Sequence, residues 1–282
     1  MNIIHSIEEM KAEIHEFRKK GKSIGCVPTM GSLHEGHLSL VRQSLQTTDR
    51  TVVTIFINPA QFAPGEDFEQ YPRDYDRDIG LLEREGVDIV FLPDMKDIYP
   101  PGYKTYVEVH DLQERLCGLS RPTFFRGVCT IVLKLFNIIT PDRAFFGQKD
   151  AQQAIILQRM VRDLNLDILI EVLPIVRDAD GLALSSRNAY LKDNERKAAL
   201  TLSRSLRLAE KMIAEGERSA EKIREEMIAL IQSVQGTRID YIEIVDSEEL
   251  LPLETLKSRV LVSLAVFIGR TRLIDNTQII LS

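Results

Sequence analysis

Cysteine is scarce in this chain of 282 residues, and the positions of its three copies exclude two kinds of site. Cys26, Cys117 and Cys129 form no CxxC pair, so they provide neither a disulfide framework nor the ligand spacing of a zinc site. Cys26 and Cys129 lie in apolar surroundings, and we expect both to be buried thiols. This use of cysteine is typical of proteins from a reducing compartment.

The sequence also lacks a long apolar run and a strong excess of one charge. Its longest apolar run, VLVSLAVFIG at residues 260–269, is too short to span a bilayer as a helix. The first residues, MNIIHSIEEMKAEIHEF, are charged and do not resemble a signal peptide. We therefore expect a cytoplasmic protein without a membrane partner. The net charge of −6 argues against a dedicated nucleic-acid binder, although a local basic cleft remains compatible with it.

Complete fingerprints for nucleotide or metal binding are missing as well. Gly21-Lys22-Ser23 resembles the end of a P-loop, but Glu16 stands where the first glycine should be, and the segment precedes a strand. No GxGxxG follows a predicted strand. The sequence HEGH at residues 34–37 is not HExxH and has no evident third ligand, so we predict no metal site made of protein ligands.

What the sequence does contain is a regular alternation of strand-like and helix-like segments up to about residue 176. The predicted strands are residues 23–27, 51–58, 87–93, 143–147 and 168–176, and the predicted helices between them include residues 74–86, 127–139 and 150–165. Such spacing implies right-handed βαβ crossovers. We predict an α/β fold, a Rossmann-like doubly wound parallel sheet, for residues 1–176.

The pattern changes near residue 177, where a polar, turn-prone stretch begins. A charged helical region at residues 193–234 follows, and Gly216 and Ser219 could divide it into two helices. Three strand-like segments, residues 238–246, 259–269 and 271–281, end the chain. Helices followed by a run of strands predict a second, smaller α+β domain over residues 177–282, with an antiparallel sheet.

Two of the five histidines lie at one strand-to-helix turn, in PTMGSLHEGHLSLV at residues 28–41. His34 and His37 are three residues apart, so both can project from one side of the first helical turn. Gly36 lets a large group approach the backbone. Free N–H groups and the helix dipole favour an anion there, which predicts a phosphate-binding corner. The alternative is that one histidine merely caps the helix.

The HxGH sequence is weak evidence alone, but here it is part of a longer and highly specific series. PTMGSLHEGH, FINPAQF, YPRDYDRD, FFGQKDAQQ and GLALSSRN, in this order, resemble the pantoate–β-alanine ligase family. The resemblance spans the chain, although the C-terminal third matches mainly in pattern. It implies a Mg²⁺- and ATP-dependent, AMP-forming condensation of (R)-pantoate with β-alanine through a pantoyl adenylate. It also implies that the smaller domain closes over the ATP site.

The resemblance further implies roles for individual residues. His34, His37 and Lys149 would be catalytic, and together with Arg187 they would stabilise charge on the phosphates. The implied ATP-binding residues are Met30, Gly31, Ser32, Leu33, His34, Glu35, Gly36, His37, Gly147, Gln148, Lys149, Asp150, Val176, Leu184, Ser185, Ser186 and Arg187. Many family members carry methionine at the position of Leu184, a volume-conserving difference that should matter little. The alternative for Lys149, which we favour less, is a solvated loop lysine.

Pantoate is a branched hydroxy acid, so its site should combine apolar walls with amide donors. By analogy with the family, Gln61 and Gln153 bind its hydroxyl and carboxylate groups, because amides donate and accept without competing for the proton. Pro28, Met30 and Phe62 would pack on its methyl groups. Weaker candidates are Asn58, Arg121 and Arg126, the last two in a stretch that we expect to form a mobile loop over the site. Gln61 could instead be a plain turn residue.

Family members are dimers, which implies a homodimer here, and TYVEVH at residues 105–110 is a plausible strand for pairing across a two-fold axis. Two other functions compete with the ligase. A simple nucleotidyltransferase would need no β-alanine pocket, and a nucleotide-binding regulatory module would need no groups for cleaving phosphates. Gln61, Gln153, Lys149 and the two histidines argue against both. No Asp or Ser lies in a nucleophile-elbow context, so we expect no covalent enzyme intermediate.

Overall fold

The structure, a computed structural model, describes residues 1–281 and contains two sheets. The strands are β1 (Asn2–Ile4), β2 (Ile24–Thr29), β3 (Arg50–Ile55), β4 (Ile89–Phe91), β5 (Arg143–Gly147), β6 (Leu169–Leu173), β7 (Thr237–Asp246), β8 (Arg259–Ile268) and β9 (Thr271–Ile280). The α-helices are α1 (Ile7–Lys19), α2 (Glu35–Thr47), α3 (Tyr75–Glu85), α4 (Met95–Ile98), α5 (Cys117–Ser120), α6 (Phe124–Ile139), α7 (Ala151–Asp163), α8 (Asp193–Ala214) and α9 (Ala220–Gln232). Short 3₁₀ turns cover Pro59–Gln61, Leu112–Glu114, Gln148–Asp150 and Ser186–Tyr190.

The first six strands form one parallel sheet in the order β1-β4-β3-β2-β5-β6. From β2 the chain winds outward through β3 to β4, and it then returns to place β5 and β6 on the other side of β2. The direction of winding therefore reverses between β2 and β5, which is where open α/β sheets bind their ligands. The predicted doubly wound parallel sheet is confirmed.

Both faces of this sheet are buried, as expected for strands without polar alternation. Consecutive residues of a strand point to opposite faces. Cys26 and Ala144 accordingly belong to the core that includes α1, α6 and α7, whereas their neighbours Val27 and Phe145 belong to the core with α2 and α3. The helices of the two faces therefore hold the carboxyl ends of β2 and β5 in fixed positions.

The last three strands form an antiparallel sheet in the order β7-β8-β9, which shares a core with α8 and α9. The predicted break in the charged helical region is confirmed, because α8 ends at Ala214 and the Ser219 hydroxyl caps α9. Val245 and Leu261 of this sheet join the core of the parallel sheet, so the two parts of the chain pack together. The division at residues 176 and 177 stays a prediction.

Several details differ from the sequence-based expectations. Strand β1 was not predicted, since three residues are too few to show a period. Strand β6 ends at Leu173, before Pro174, which cannot donate a ladder hydrogen bond. Residues 105–110 belong to neither sheet. The stretch expected to be a loop at residues 120–127 is mostly helical, because α6 begins at Phe124, directly after Pro122 and Thr123.

The three cysteines are free and buried, which confirms the expectation for Cys26 and Cys129. Among the described residues, no helix combines the length and the apolar character needed to cross a bilayer.

Candidate active site

One cavity of about 1320 Å³ lies at the carboxyl ends of β2, β3 and β5 and extends to the antiparallel sheet. Most of the predicted site residues line it: Pro28, Met30, His34, Gly36, His37, Gln61, Phe62, Gly147, Lys149, Asp150, Gln153, Val176, Leu184, Ser185, Ser186 and Arg187. The weaker candidates Asn58 and Arg121 line it as well. Segments that are far apart in the sequence therefore meet at the point where the sheet reverses its winding.

Six predicted residues do not line this cavity. They are Gly31, Ser32, Leu33, Glu35, Gln148 and Arg126. Leu33 lies in the core, and the Glu35 carboxylate pairs with Arg42. The Gln148 side-chain amide lies 3.4 Å from that of Asn276, and Arg126 stacks on Tyr106. Part of the PTMGSLHEGH segment therefore shapes the site without reaching into it.

The buried carboxylate of Asp78 holds the turn before the histidines. It accepts the N–H groups of Ser32 at 2.6 Å and Leu33 at 2.8 Å, and burial raises its pKa despite these hydrogen bonds. Gly31 and Ser32 have positive φ angles of 81° and 53°, a conformation that costs a non-glycine residue free energy. The carboxylate stabilises this strained turn and thereby fixes where helix α2 starts.

The two histidine rings stack at the start of α2, with centroids 4.1 Å apart. His37 Nδ1 accepts the backbone N–H of His34 at 3.3 Å, so the neutral ring carries its proton on Nε2. A Cβ at Gly36 would lie 2.9 Å from His34 Cε1, which shows that glycine makes room for this ring. One histidine thus does help to cap the helix, yet its second nitrogen remains a donor.

Both imidazoles are neutral at pH 7. Burial lowers the pKa of His34 to about 4, and the nearby positive charge of Lys149 adds to the effect. Burial is also the main cause that lowers the pKa of His37, and the nearby His34 and Lys149 lower it further. The geometry therefore indicates that both histidines would act as neutral N–H donors. His34 Nδ1 is buried without a partner among the described residues, which is costly unless a ligand satisfies it.

These low pKa values predict a specific loss of stability in acid. Below about pH 6.5 the unfolded chain binds protons on both imidazoles, whereas folded His34 does so only near pH 4. The free energy of unfolding therefore falls as the pH falls through this window. When the pH is lowered from 6.5 to 4.5, the Tm of the unchanged chain should fall further than that of a His34→Gln/His37→Gln double variant. The difference between the two decreases in Tm should be at least about 2–4 °C. Thermal unfolding at both pH values measures this, and equal losses would contradict the assignment.

Lys149 lies in the turn between β5 and α7. Its side chain is 20% exposed, and its ammonium is 3.9 Å from the nearest carboxylate oxygen, on Asp150. Asn276 of β9 donates to the backbone carbonyls of Gln148 and Lys149. The lysine is thus positioned through its backbone, while its charge is not committed to a short ion pair.

Arg187, by contrast, already has an anionic partner. Its guanidinium forms two 2.9 Å hydrogen bonds with the Asp67 carboxylate, and the neighbouring Ser186 hydroxyl lies 3.2 Å from Tyr71 Oη. Asp67 and Tyr71 belong to the acidic stretch that begins after FINPAQF and runs into YPRDYDRD. A triphosphate that binds Arg187 must therefore compete with Asp67 for its five N–H donors.

A buried hydrogen-bond network joins Asn58 and Gln61, two of the residues that line the cavity. Tyr99 Oη donates to Asn58 Oδ1 at 2.8 Å, and Asn58 Nδ2 donates to Gln61 Oε1 at 3.0 Å. Gln61 Nε2 in turn lies 3.0 Å from the sulfur of Met30. This network locks the orientation of the Gln61 amide, which a plain turn residue would not require.

The two adjacent glutamines of α7 have different surroundings. The side-chain amide of Gln152 is fully hydrogen-bonded to the backbone. It donates to the carbonyls of Leu112 and Arg115 and accepts the N–H of Cys117. Both residues line the cavity, but Gln153 is partly exposed, and its amide has no hydrogen-bond partner among the described residues. Gln153 therefore has the amide of the pair that is available to a ligand.

With this geometry in place, comparison with known proteins decides the family. The sequence model of pantoate–β-alanine ligase matches residues 2–278. The chain belongs to the pantoate–β-alanine ligase family. Pantothenate synthetase from Thermotoga petrophila is 57% identical over 277 residues, which cover 98% of this chain and 99% of that protein. Pantothenate synthetase from Acetivibrio thermocellus is 55% identical, with 98% of each chain covered.

Solved structures of pantoate–β-alanine ligases agree with this fold. Pantothenate synthetase from Thermus thermophilus matches with a TM-score of 0.94 at 40% identity, covering 98% of this chain and 99% of that one. The ligase from Francisella tularensis, solved with "Beta-gamma ATP and Beta-alanine", matches with a TM-score of 0.80 at 33% identity. It covers 98% of this chain and 97% of its own. The chain is therefore an enzyme of the ligase class with this family's architecture.

Four residues that shape the cavity escaped the sequence analysis: Asp67, Tyr71, Asp78 and Asn276. Tyr71 and Asp78 begin and end YPRDYDRD, a segment used only for its family resemblance. Asn276 follows Asp275 inside a strand, where two adjacent polar residues are unusual and could have signalled a buried contact.

Proposed function

We propose that the chain condenses (R)-pantoate with β-alanine in an ATP-dependent, AMP-forming reaction that passes through pantoyl adenylate. The single observation that carries this proposal is one cavity lined by two chemically different sets of groups. One set comprises the donors His34, His37, Lys149 and the Ser185–Arg187 segment, and the other contains the locked amide of Gln61. The homologous ligase from Francisella tularensis, solved in complex with "Beta-gamma ATP and Beta-alanine", supports the proposal.

Adenylate formation needs no protein nucleophile. The pantoate carboxylate attacks the α-phosphate in line, and pyrophosphate departs, so the enzyme must align two anions and stabilise the charge that develops. Lys149 would balance charge on the phosphates, and the Nε2–H of His37 would donate to an oxygen of the α-phosphate. Ser185, Ser186 and Arg187 would hold the β- and γ-phosphates. In the second step the amine of β-alanine attacks the acyl carbon and AMP leaves.

Gln61 and Gln153 would hold pantoate by its hydroxyl and carboxylate groups, while Pro28, Met30 and Phe62 pack on its methyls. The remaining proposed ATP contacts are Gly36, Gly147, Asp150, Val176 and Leu184. Gly31, Ser32, Leu33, Glu35 and Gln148 do not line the cavity and would contribute by shaping the turn before α2 and the turn before α7. The residues behind these contacts supply rigidity, because Asn58 and Asp78 lock the two segments on either side of the cavity.

Magnesium is part of this proposal, and the cavity fits it. Mg²⁺ prefers oxygen ligands and is usually held by one or two carboxylates together with substrate phosphates and waters. Among the carboxylates that line the cavity, Glu66 and Asp67 pair with arginines, whereas Asp150 has only Lys149 at 3.9 Å among the described residues. Asp150 would therefore hold the ion, which supplies neutralisation of phosphate charge when bound.

We also propose a cytoplasmic homodimer that pairs through residues 105–110. Val107 and Val109 pack against the core, while the intervening Tyr106 and Glu108 are exposed, which is the pattern of an extended edge. Light scattering of the purified chain measures its mass in solution. A monomeric mass at micromolar concentration would contradict this part of the proposal.

Gln61→Glu is expected to raise the KM for pantoate by about tenfold or more while the KM for ATP stays near its original value. The change keeps the size of the side chain but places a negative charge beside the pantoate carboxylate, and like charges in a closed site cost several kcal/mol. Steady-state kinetics with each substrate varied in turn checks this. Gln46→Glu on the exposed side of α2 is the matched control and should change neither constant. An equal rise in both constants would contradict the role of Gln61.

The proposed function is tested by exchange of labelled pyrophosphate into ATP. With pantoate present and β-alanine absent, adenylate formation is reversible, so label should enter ATP. A nucleotidyltransferase for a phosphorylated acceptor, or a passive ATP sensor, would show no exchange that depends on pantoate. Exchange at the same rate with and without pantoate would overturn the proposal.

A further inference from the structure

Strand β9 carries two adjacent buried polar residues, Asp275 and Asn276, each only 2% exposed. Side chains that follow one another in a strand point to opposite faces. They accordingly contact different segments, Arg177 and the turn that contains Lys149. Buried polar groups are costly unless satisfied, so the partners of this pair show what it is for.

Asn276 is committed to the turn that presents Lys149. Its Nδ2 donates to the carbonyl oxygens of Gln148 at 2.9 Å and Lys149 at 3.0 Å, and its Oδ1 lies 3.4 Å from Gln148 Nε2. A carboxamide offers two donors and one acceptor at the end of a short side chain, and aspartate offers no donor when ionised. This set of contacts is specific for asparagine.

Asp275 contacts a residue beside the other proposed phosphate-binding segment. It forms hydrogen bonds of 2.7 and 2.9 Å with the guanidinium of Arg177. Arg177 pairs with Ala183 across the short hairpin that leads into the Leu184–Arg187 segment. This pair of residues in the C-terminal sheet therefore touches the Lys149 turn directly and adjoins the Leu184–Arg187 segment through Arg177.

We propose that Asn276 is a positioning residue that sets the location of the Lys149 ammonium relative to the phosphates of ATP. The inference rests on the proposed role of Lys149 and adds to it that the antiparallel sheet helps to build the catalytic site. Both carbonyls belong to the 3₁₀ turn Gln148–Asp150, which connects β5 to α7 and presents Lys149. Without Asn276 the turn can shift, and a displacement of about 1 Å from productive geometry can cost on the order of 10²-fold in rate.

The test is a double-mutant cycle between residues 276 and 149. Asn276→Ala should lower kcat about 10–100-fold, while the KM for pantoate stays nearly constant and circular dichroism remains native. In a Lys149→Ala background the same change should have little further effect, because it acts through the lysine that is already gone. Thr277→Val on the same strand, which loses a bond to Glu210 instead, is the matched control and should leave kcat unchanged.

Two results would overturn the proposal. One is an Asn276→Ala enzyme with unchanged kcat, and the other is a full loss of rate when Asn276→Ala is added to Lys149→Ala, since that pattern indicates a role independent of the lysine. If Asn276→Ala does not fold, Asn276→Ser retains one donor and is measured in the same cycle. Failure of the proposed function would give a different result, because the enzyme without any substitution would then make no pantothenate.

Discussion

Lys149→Ala is expected to lower kcat for pantothenate formation by about 10²–10³, which corresponds to roughly 3–4 kcal/mol of transition-state stabilisation. The reason is that Lys149 supplies a positive charge whose nearest carboxylate oxygen among the described residues is 3.9 Å away. Arg187, the other cation proposed to contact the phosphates, is held by Asp67 at 2.9 Å and must first exchange its partner. Charge that develops on the phosphates would therefore rely most on the lysine.

Steady-state kinetics at saturating substrates measures this loss, and thermal unfolding shows whether the fold is kept. We expect little change in Tm, because the lysine side chain makes no short ion pair. Lys96→Ala, at a 75% exposed position, is the matched control and should be neutral. Near-normal turnover of Lys149→Ala would assign Lys149 to a solvated loop and remove it from the mechanism.

His37→Ala is expected to lower kcat by a similar factor, about 10²–10³. Its Nδ1 is occupied by the N–H of His34, so Nε2–H is the proton available to a phosphate oxygen. Burial lowers the pKa of His37, so its ring is a neutral donor at about pH 6.5 and above. An ordinary histidine, by contrast, would change its charge near pH 6.5. The rate in the unchanged enzyme should therefore show no histidine-like decline between about pH 6.5 and 8.

Two further variants distinguish a catalytic role of His37 from a role in capping helix α2. His15→Ala removes an exposed histidine of α1 and should leave kcat unchanged. His37→Asn keeps a side-chain oxygen that can accept the N–H of His34, so it should restore most of the lost Tm without restoring kcat. Recovery of kcat together with Tm in His37→Asn would mean that His37 only caps α2.

The parallel sheet could be predicted because its strands are short apolar runs separated by helices of sufficient length. The meeting of His37, Gln61 and Lys149 in one cavity followed from the same pattern, since each comes after the carboxyl end of a parallel strand. The side chain of Glu35 is instead paired with Arg42 outside the cavity, and a match to PTMGSLHEGH does not reveal which of its residues face inward.

Contacts between distant segments could not be predicted in this way. The Asp78 carboxylate is 45 residues away from the Leu33 N–H that it binds, and Asn276 is 127 residues away from Lys149. Neither separation leaves a periodic signal in the sequence, since both contacts depend on how the packed helices and the two sheets come together. The pairing of Arg187 with Asp67 could not be predicted for the same reason. Because of this pairing, Arg187 is not a free cation and must exchange the Asp67 carboxylate for a phosphate when ATP binds.

The central claim, activation of pantoate as an adenylate, is tested most directly with pantoate that carries oxygen-18 in its carboxylate. Attack of a labelled oxygen on the α-phosphate makes it the bridging atom, and attack of β-alanine on the acyl carbon then leaves it in AMP. We predict one labelled oxygen in AMP and one in the amide carbonyl of pantothenate, as read by mass spectrometry. Label in inorganic phosphate together with ADP would contradict the adenylate and indicate an acyl phosphate.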